Sequence, residues 1–144
     1  TALPGAQVHQ MDGYALAHAL VPPTPRRGLM LIDPSYEQKS EFTDMPAHIR
    51  KWHRAWNVGV ICLWYPCLAS RAERPMVKTL NATFPQAFHQ ELYFTPAKTG
   101  HGMLGSGLFV LNPPFGLADA AQAVEALFKS TGVFQAPPAQ ATSI

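Results

Sequence analysis

The sequence predicts an α/β fold in which a parallel sheet is closed by an antiparallel pair of strands. Two continuous apolar runs of strand length, residues 28–32 (GLMLI) and 58–65 (VGVICLWY), are each followed by an amphipathic segment. That alternation is the rhythm of a parallel sheet whose strands are buried on both faces. From Phe88 onward the pattern changes to two half-alternating segments joined by a loop, which suits a closing hairpin.

Residues 6–11 read as a short strand ending at Asp12-Gly13, after which Tyr14, Ala17 and Leu20 recur at helical spacing until Pro22, Pro23 and Pro25 stop the element. The 28–32 run is bounded by Arg26-Arg27 and by Asp33-Pro34, so Asp33 stands at the C-terminal end of a strand. Phe42, Met45, Ile49, Trp52, His53 and Trp56 form one helical stripe, with Pro46 placed near the first turn and Arg50, Lys51 and Arg54 on other faces. The 58–65 run is expected to stop at Pro66. A helix over residues 74–84 follows, with Met76, Val77, Leu80 and Phe84 as its apolar set. Residues 88–94 and 107–111 make the hairpin, and residues 118–129 a last helix with Ala121, Val124, Leu127 and Phe128 turned inward. Residues 1–134 therefore read as one domain or part of one, and residues 135–144 as a loose Pro/Ala/Thr/Ser tail.

The formal charge of +2 permits contact with a polyanion without demanding it. Cys62 and Cys67 are too few for a disulfide framework or a four-thiolate zinc site, and they read as reduced thiols. The histidines are scattered, and His48 and His53 lie five apart, off a shared ligand face, so no metal is expected. No apolar stretch reaches membrane-spanning length, and a cytoplasmic location is the expectation. Thr1 is not an initiator methionine, and the chain is expected to be a processed or truncated product.

Asp33-Pro34-Ser35-Tyr36 is the most informative tetrapeptide, because ligands of open α/β sheets bind beyond the carboxyl ends of strands. It resembles the D-P-P-Y signature of amino methyltransferases. The exocyclic nitrogen of adenine is a poor nucleophile, since its lone pair is delocalised into the ring. A carboxylate (Asp33) and a carbonyl (Pro34) that accept its two hydrogens would draw that pair out of conjugation and aim it at a methyl donor, and Tyr36 would stack on the extracted base. Ser35 departs from the signature by replacing the second proline. Asn112-Pro113-Pro114-Phe115 matches an N-P-P-F variant more closely, yet in the methyltransferase class that the motif resembles a further parallel strand and a hairpin follow the clamp, whereas only a helix and a tail follow Asn112, so it reads as a strand-end turn.

Taken with Glu37 and Lys39, with Trp64-Tyr65-Pro66, with Gly102-Met103 through Ser106-Gly107 and with Leu111-Asn112-Pro113-Pro114, the motif resembles the RlmJ-type 23S rRNA adenine-N6 methyltransferase family over most of the chain. The resemblance implies the C-terminal half of a Rossmann-like methyltransferase fold, S-adenosylmethionine as cofactor, and an adenine of 23S rRNA, naked or in an early large-subunit precursor, as substrate. It places Asp33, Pro34 and Tyr36 at the target amine, and Asp12, Gly13 and Asp33 beside the cofactor. Ser35, Glu37, Lys39, Trp64, Tyr65, Pro66, Gly102 and Ser106 then line the substrate pocket, with residues 98–106 at its entrance. DNA adenine methylation or a role in the use of external DNA is the rival among these activities, and a non-catalytic RNA-binding fragment is the rival from another class.

The family's glycine-rich cofactor loop and the acidic ribose-binding residue have no counterpart in these residues. Residues 102–107 are not that loop, because no helix opens from them. The chain alone is accordingly expected to be inactive. In the implied fold the third, second and first strands lie on one side of the fourth, and the fifth, seventh and sixth on the other. The Leu29 strand should then present a bare edge, which a second copy or an N-terminal half would pair.

Overall fold

The computed structural model describes residues 5–94 and 102–135. In chain order its elements are α1 (Gly13–Leu20), β1 (Leu29–Ile32), α2 (Ser40–Ala55), β2 (Val60–Leu68), α3 (Arg74–Thr83), β3 (Phe88–Phe94), β4 (Met103–Leu111), α4 (Leu117–Ser130) and β5 (Phe134–Gln135). They build one five-stranded sheet in the order β1-β2-β4-β3-β5. β1 runs parallel to β2, whereas β4 is antiparallel to both β2 and β3. The first four strands thus stand in the order that the resemblance implies for a fourth, fifth, seventh and sixth strand.

Strand alternation divides the sheet into two unequal faces. Ile61, Leu63, Tyr65 and Cys67 of β2, paired with Leu111, Phe109, Gly107 and Gly105 of β4, point to one side. There Phe42, Met45, Ile49 and Trp52 of α2, with Met76, Val77 and Leu80 of α3, close over them to form the core. The stripe read from the sequence is therefore the buried stripe, each full-sized member contributing about 1.5–3 kcal/mol. α1 packs on the outside of α2, where the Tyr14 ring stacks on His48 at 4.6 Å. The opposite face carries α4, fixed by Gln90, whose amide donates to the Ala121 carbonyl at 3.2 Å and to Glu125 at 3.3 Å.

Several elements differ from the sequence expectation, each for a physical reason. Residues 6–11 form no strand: they have no neighbour to pair with and are exposed throughout. β1 is parallel and stands at the edge of the sheet, both as expected, but it is not buried on both faces: Leu29 and Leu31 are 65% and 66% exposed on the face opposite the core. β2 runs through Pro66 to Leu68 because β1 pairs only as far as Leu63. Beyond that point β2 has a single strand neighbour, so every second N–H has no ladder partner and a proline is tolerated. Pro46 sits in the second turn of α2, not the first, and burial of the helix stripe offsets its missing hydrogen bond. α4 buries only Ala121, while Val124, Leu127 and Phe128 are exposed because the helix overlies the β3 end of the sheet alone. Gln135, assigned to the tail by the sequence, pairs with Tyr93 in β5; residues 136–144 lie outside the described residues.

Two glycines fit the backbone under aromatic rings. A Cβ on Gly59 would come within 2.1 Å of the Trp56 ring, whose Nε1 donates to the Arg26 carbonyl at 2.6 Å. A Cβ on Gly107 would come within 2.1 Å of Tyr65 Cζ, and Tyr65 is fully buried with its hydroxyl held by Glu91 at 2.7 Å. Because that ring cannot retreat without breaking its hydrogen bonds, Gly107→Ala is expected to destabilise the fold by about 3 kcal/mol in urea denaturation. Gly102→Ala, which meets nothing within 4 Å, should shift the midpoint little; equal midpoints for the two variants would contradict this packing.

Candidate active site

The chain leaves β1 at Asp33 and crosses the carboxyl end of the sheet before entering α2. Asp33 is exposed and, among the described residues, has no hydrogen-bond or ion-pair partner. Tyr36 is held much more firmly. Its hydroxyl donates to the Trp64 carbonyl at 2.8 Å, and its ring stacks on Phe42 with centroids 4.5 Å apart. Its backbone sits at φ 55°, the left-handed region that costs a bulky residue about 1–2 kcal/mol. Such strain persists only where the surroundings enforce it. Burial, with Tyr14, Glu41 and Asp33 adding to it, raises the Tyr36 hydroxyl far above the ordinary phenol range, so it remains a donor.

Asp33 and Pro34 open onto a cleft of about 270 Å3 between β1, α1 and α2, lined also by Gly13, Tyr14, Ala17, Met30, Ile32, Glu41 and Trp52. Glu41, which the sequence did not single out, ties this cleft together. It accepts from the Tyr14 hydroxyl at 2.9 Å and from Ser35 Oγ at 3.3 Å, linking α1 to the loop. Burial and this bond push Tyr14 up to about 12. Ser35 also accepts from the Glu37 N–H at 3.4 Å, so the hydroxyl that replaces the second proline supplies restraints of its own. An acid in the first turn of a helix directly after the loop was the available signal.

The other expected site residues divide. Gly13 joins Asp33 and Pro34 in the cleft, but the Asp12 carboxylate caps α1, accepting from the Ala15 N–H at 2.7 Å, and lines a separate depression with His48 and Lys51. Trp64 is half-buried beside Tyr36, ring centroids 6.3 Å apart. Tyr65, expected in the pocket wall, instead points to the core face, because adjacent strand residues project to opposite sides. Pro66 is buried opposite Ser106 in the ladder, and Gly102 ends its loop by accepting from the Ala69 N–H at 2.8 Å. Residues 103–106, assigned to an entrance loop, already belong to β4, and residues 98–101 lie outside the described residues. Lys39 lies on the other side of Phe42 and does not line the cleft.

Asn112, the competing motif, is committed elsewhere. Its amide donates to the carbonyls of Asn57 at 2.9 Å and Gly59 at 2.8 Å, and Phe115 projects fully into solvent. On the core face Tyr65 enters a polar network that sequence reading missed. Glu91 accepts from Tyr65, from Arg74 at 3.1 and 2.9 Å, and from Tyr93 at 2.7 Å. Glu73, fully buried, accepts from the Leu68 N–H at 3.3 Å. Arg74 Nε approaches it to 3.0 Å as a charge contact without hydrogen-bond geometry.

Residues 4–137 match the model of the family described as Ribosomal RNA large subunit methyltransferase D, RlmJ. The chain belongs to the RlmJ family. It is 36% identical over 113 residues to the Ribosomal RNA large subunit methyltransferase J of Escherichia coli (strain K12), a match covering 78% of this chain and 40% of that protein. The Haemophilus influenzae protein of the same name is 34% identical over 107 residues, covering 74% and 38%. The chain thus spans about two fifths of these RlmJ relatives. A Legionella pneumophila protein of known crystal structure superimposes with a TM-score of 0.75 at 30% identity, over 87% of this chain and 48% of that one. Among the described residues no helix is long and apolar enough to cross a membrane, and no group of His, Cys, Asp and Glu is placed to hold a metal ion.

Proposed function

We propose that this chain carries the target-base half of an enzyme that methylates adenine N6 in 23S ribosomal RNA, and that it forms the C-terminal half of a Rossmann-like domain. The reading rests on one arrangement above all: an unpaired carboxylate and a proline carbonyl at the end of a parallel strand, next to a strained and anchored tyrosine. RlmJ membership and the names of the relatives support RNA as the substrate.

The cleft beside Asp33 suits S-adenosylmethionine. Its apolar walls, Ala17, Met30 and Ile32, fit a flat ring, and the carboxylates of Asp33 and Glu41 at its rim suit a sulfonium cation. When bound, that cofactor supplies the methyl group. Asp33 and the Pro34 carbonyl accept the two hydrogens of the adenine amine and free its lone pair for in-line attack. Tyr36, resting one ring face on Phe42, offers the other to the extracted base. The proton surplus to the product leaves N6 along the Asp33 hydrogen bond. Glu41 holds the loop through Ser35 and keeps α1 against it through Tyr14.

The test is methyl transfer by the complete protein from labelled S-adenosylmethionine to naked 23S rRNA, in competition with single-stranded DNA. RNA is expected to be labelled at adenine N6 and DNA to compete poorly. Preferential labelling of DNA would replace the substrate, and failure to label either would remove the enzymatic reading.

A further inference from the structure

On the far side of Phe42 from the Asp33 cleft, α2 and α3 enclose a second groove of about 400 Å3. That volume falls in the range of small-ligand clefts. Its floor is apolar, built by Phe42, Pro46, Pro75 and Met76, and Lys39 and Arg50 stand at its sides. Both cations are exposed, and among the described residues neither has a carboxylate within 4.0 Å.

None of the neighbouring acids, Glu37, Glu41, Asp44 and Glu73, lines the groove. Glu41 is bonded to Tyr14 and Ser35 around the other cleft, and Glu73 is buried under Arg74. The sequence shows three cations on α2, Arg50, Lys51 and Arg54, with nothing to rank them. The structure separates them: only Arg50 reaches this groove, where it joins Lys39, whereas Lys51 lines the depression beside His48.

An apolar floor between two unneutralised cations complements a ligand that is flat and apolar in one part and anionic in another. A nucleotide of a single strand has that character. The groove also adjoins the proposed base site, because Phe42 forms its floor and at the same time backs the Tyr36 ring. We infer that this groove is a subsite for the RNA nucleotide adjoining the target adenine, with its sugar and base on the Phe42–Pro75 floor and its flanking phosphates on Lys39 and Arg50. The inference rests on the RNA methyltransferase reading and extends it to how the strand is gripped.

The experiment uses the complete protein and a fluorescein-labelled single-stranded RNA oligomer containing one adenine, with anisotropy followed across a salt series. Lys39→Ala with Arg50→Ala is expected to weaken binding roughly tenfold and to reduce the slope of log affinity against log salt by about 1.4, since each phosphate contact on a single strand accounts for about 0.7. KM for 23S rRNA should rise correspondingly, while kcat at saturating RNA stays within about twofold, because neither side chain reaches the Asp33 cleft. Lys129→Ala, which removes an ion-paired charge on α4, controls for loss of positive charge away from the groove and should leave affinity and slope unchanged. If the wild type methylates RNA and the double variant binds with the same affinity and slope, the subsite is wrong and the catalytic reading stands. If the wild type neither binds nor methylates RNA, both fall.

Discussion

Asp33→Ala in the complete protein is expected to lower kcat for RNA methylation by about a thousandfold, while thermal stability stays close to wild type. The size follows from the role. A carboxylate that accepts from the amine as charge develops on nitrogen acts in the transition state more than in the ground state, and removing one such preorganised partner costs about 3–4 kcal/mol. The unchanged stability follows from the structure: Asp33 is exposed and, among the described residues, bonds to nothing, so its truncation leaves no orphaned group. Single-turnover rates separate this from a binding effect. Asp33→Asn, which keeps the shape and loses the charge, should recover only a small part of the rate. A variant with wild-type turnover would transfer the amine-holding role to another residue.

Glu91→Gln is expected to be the largest single blow to stability that a near-isosteric change can deliver here. Burial alone would raise the Glu91 carboxyl, but donors from His89, Tyr93, Arg74 and Tyr65 outweigh it and hold the group well below the ordinary carboxylate range. A folded-state value below the unfolded one, about 4.3, means that the stabilisation is complete above that pH and is lost as pH falls beneath it. Stability should therefore drop on acidification below about pH 4. In Glu91→Gln that part of the pH dependence should disappear, with a loss of about 2–3 kcal/mol at pH 7. This is at the low end for a broken buried pair because the Arg74 side chain is 32% exposed. Urea midpoints for both proteins across a pH series measure it. A variant that matches wild type at pH 7 would show that the network adds little.

What could be read from the sequence follows from where the determinants lie. The 28–32 and 58–65 runs and the Phe42–Trp52 stripe carry their own periodicity, so the parallel pair and its covering helix were legible. The strand order came through resemblance, not periodicity. The burial of β1 and the inward face of α4 were misjudged because each depends on what lies alongside: Leu31 is apolar whether or not a strand flanks it, and Leu127 whether or not a sheet lies beneath it. Tyr65 was misplaced by treating three consecutive residues as one wall, although a strand sends neighbours to opposite sides. The Glu41 link and the Glu91 network join residues as far as 27 positions apart, through contacts that no local pattern encodes.

The unequal settings of the three tryptophans give the molecule a built-in optical probe. Trp52 and Trp56 are sealed from water at 1% and 2% exposure, so their emission should stay blue-shifted and indifferent to added quenchers. Trp64 is half-buried, and its carbonyl receives the Tyr36 hydroxyl. Any movement of the Asp33–Tyr36 loop, or arrival of a base beside it, therefore acts most directly on Trp64, the one of the three that is not buried. Iodide or acrylamide quenching can then follow occupancy of the base site without a label.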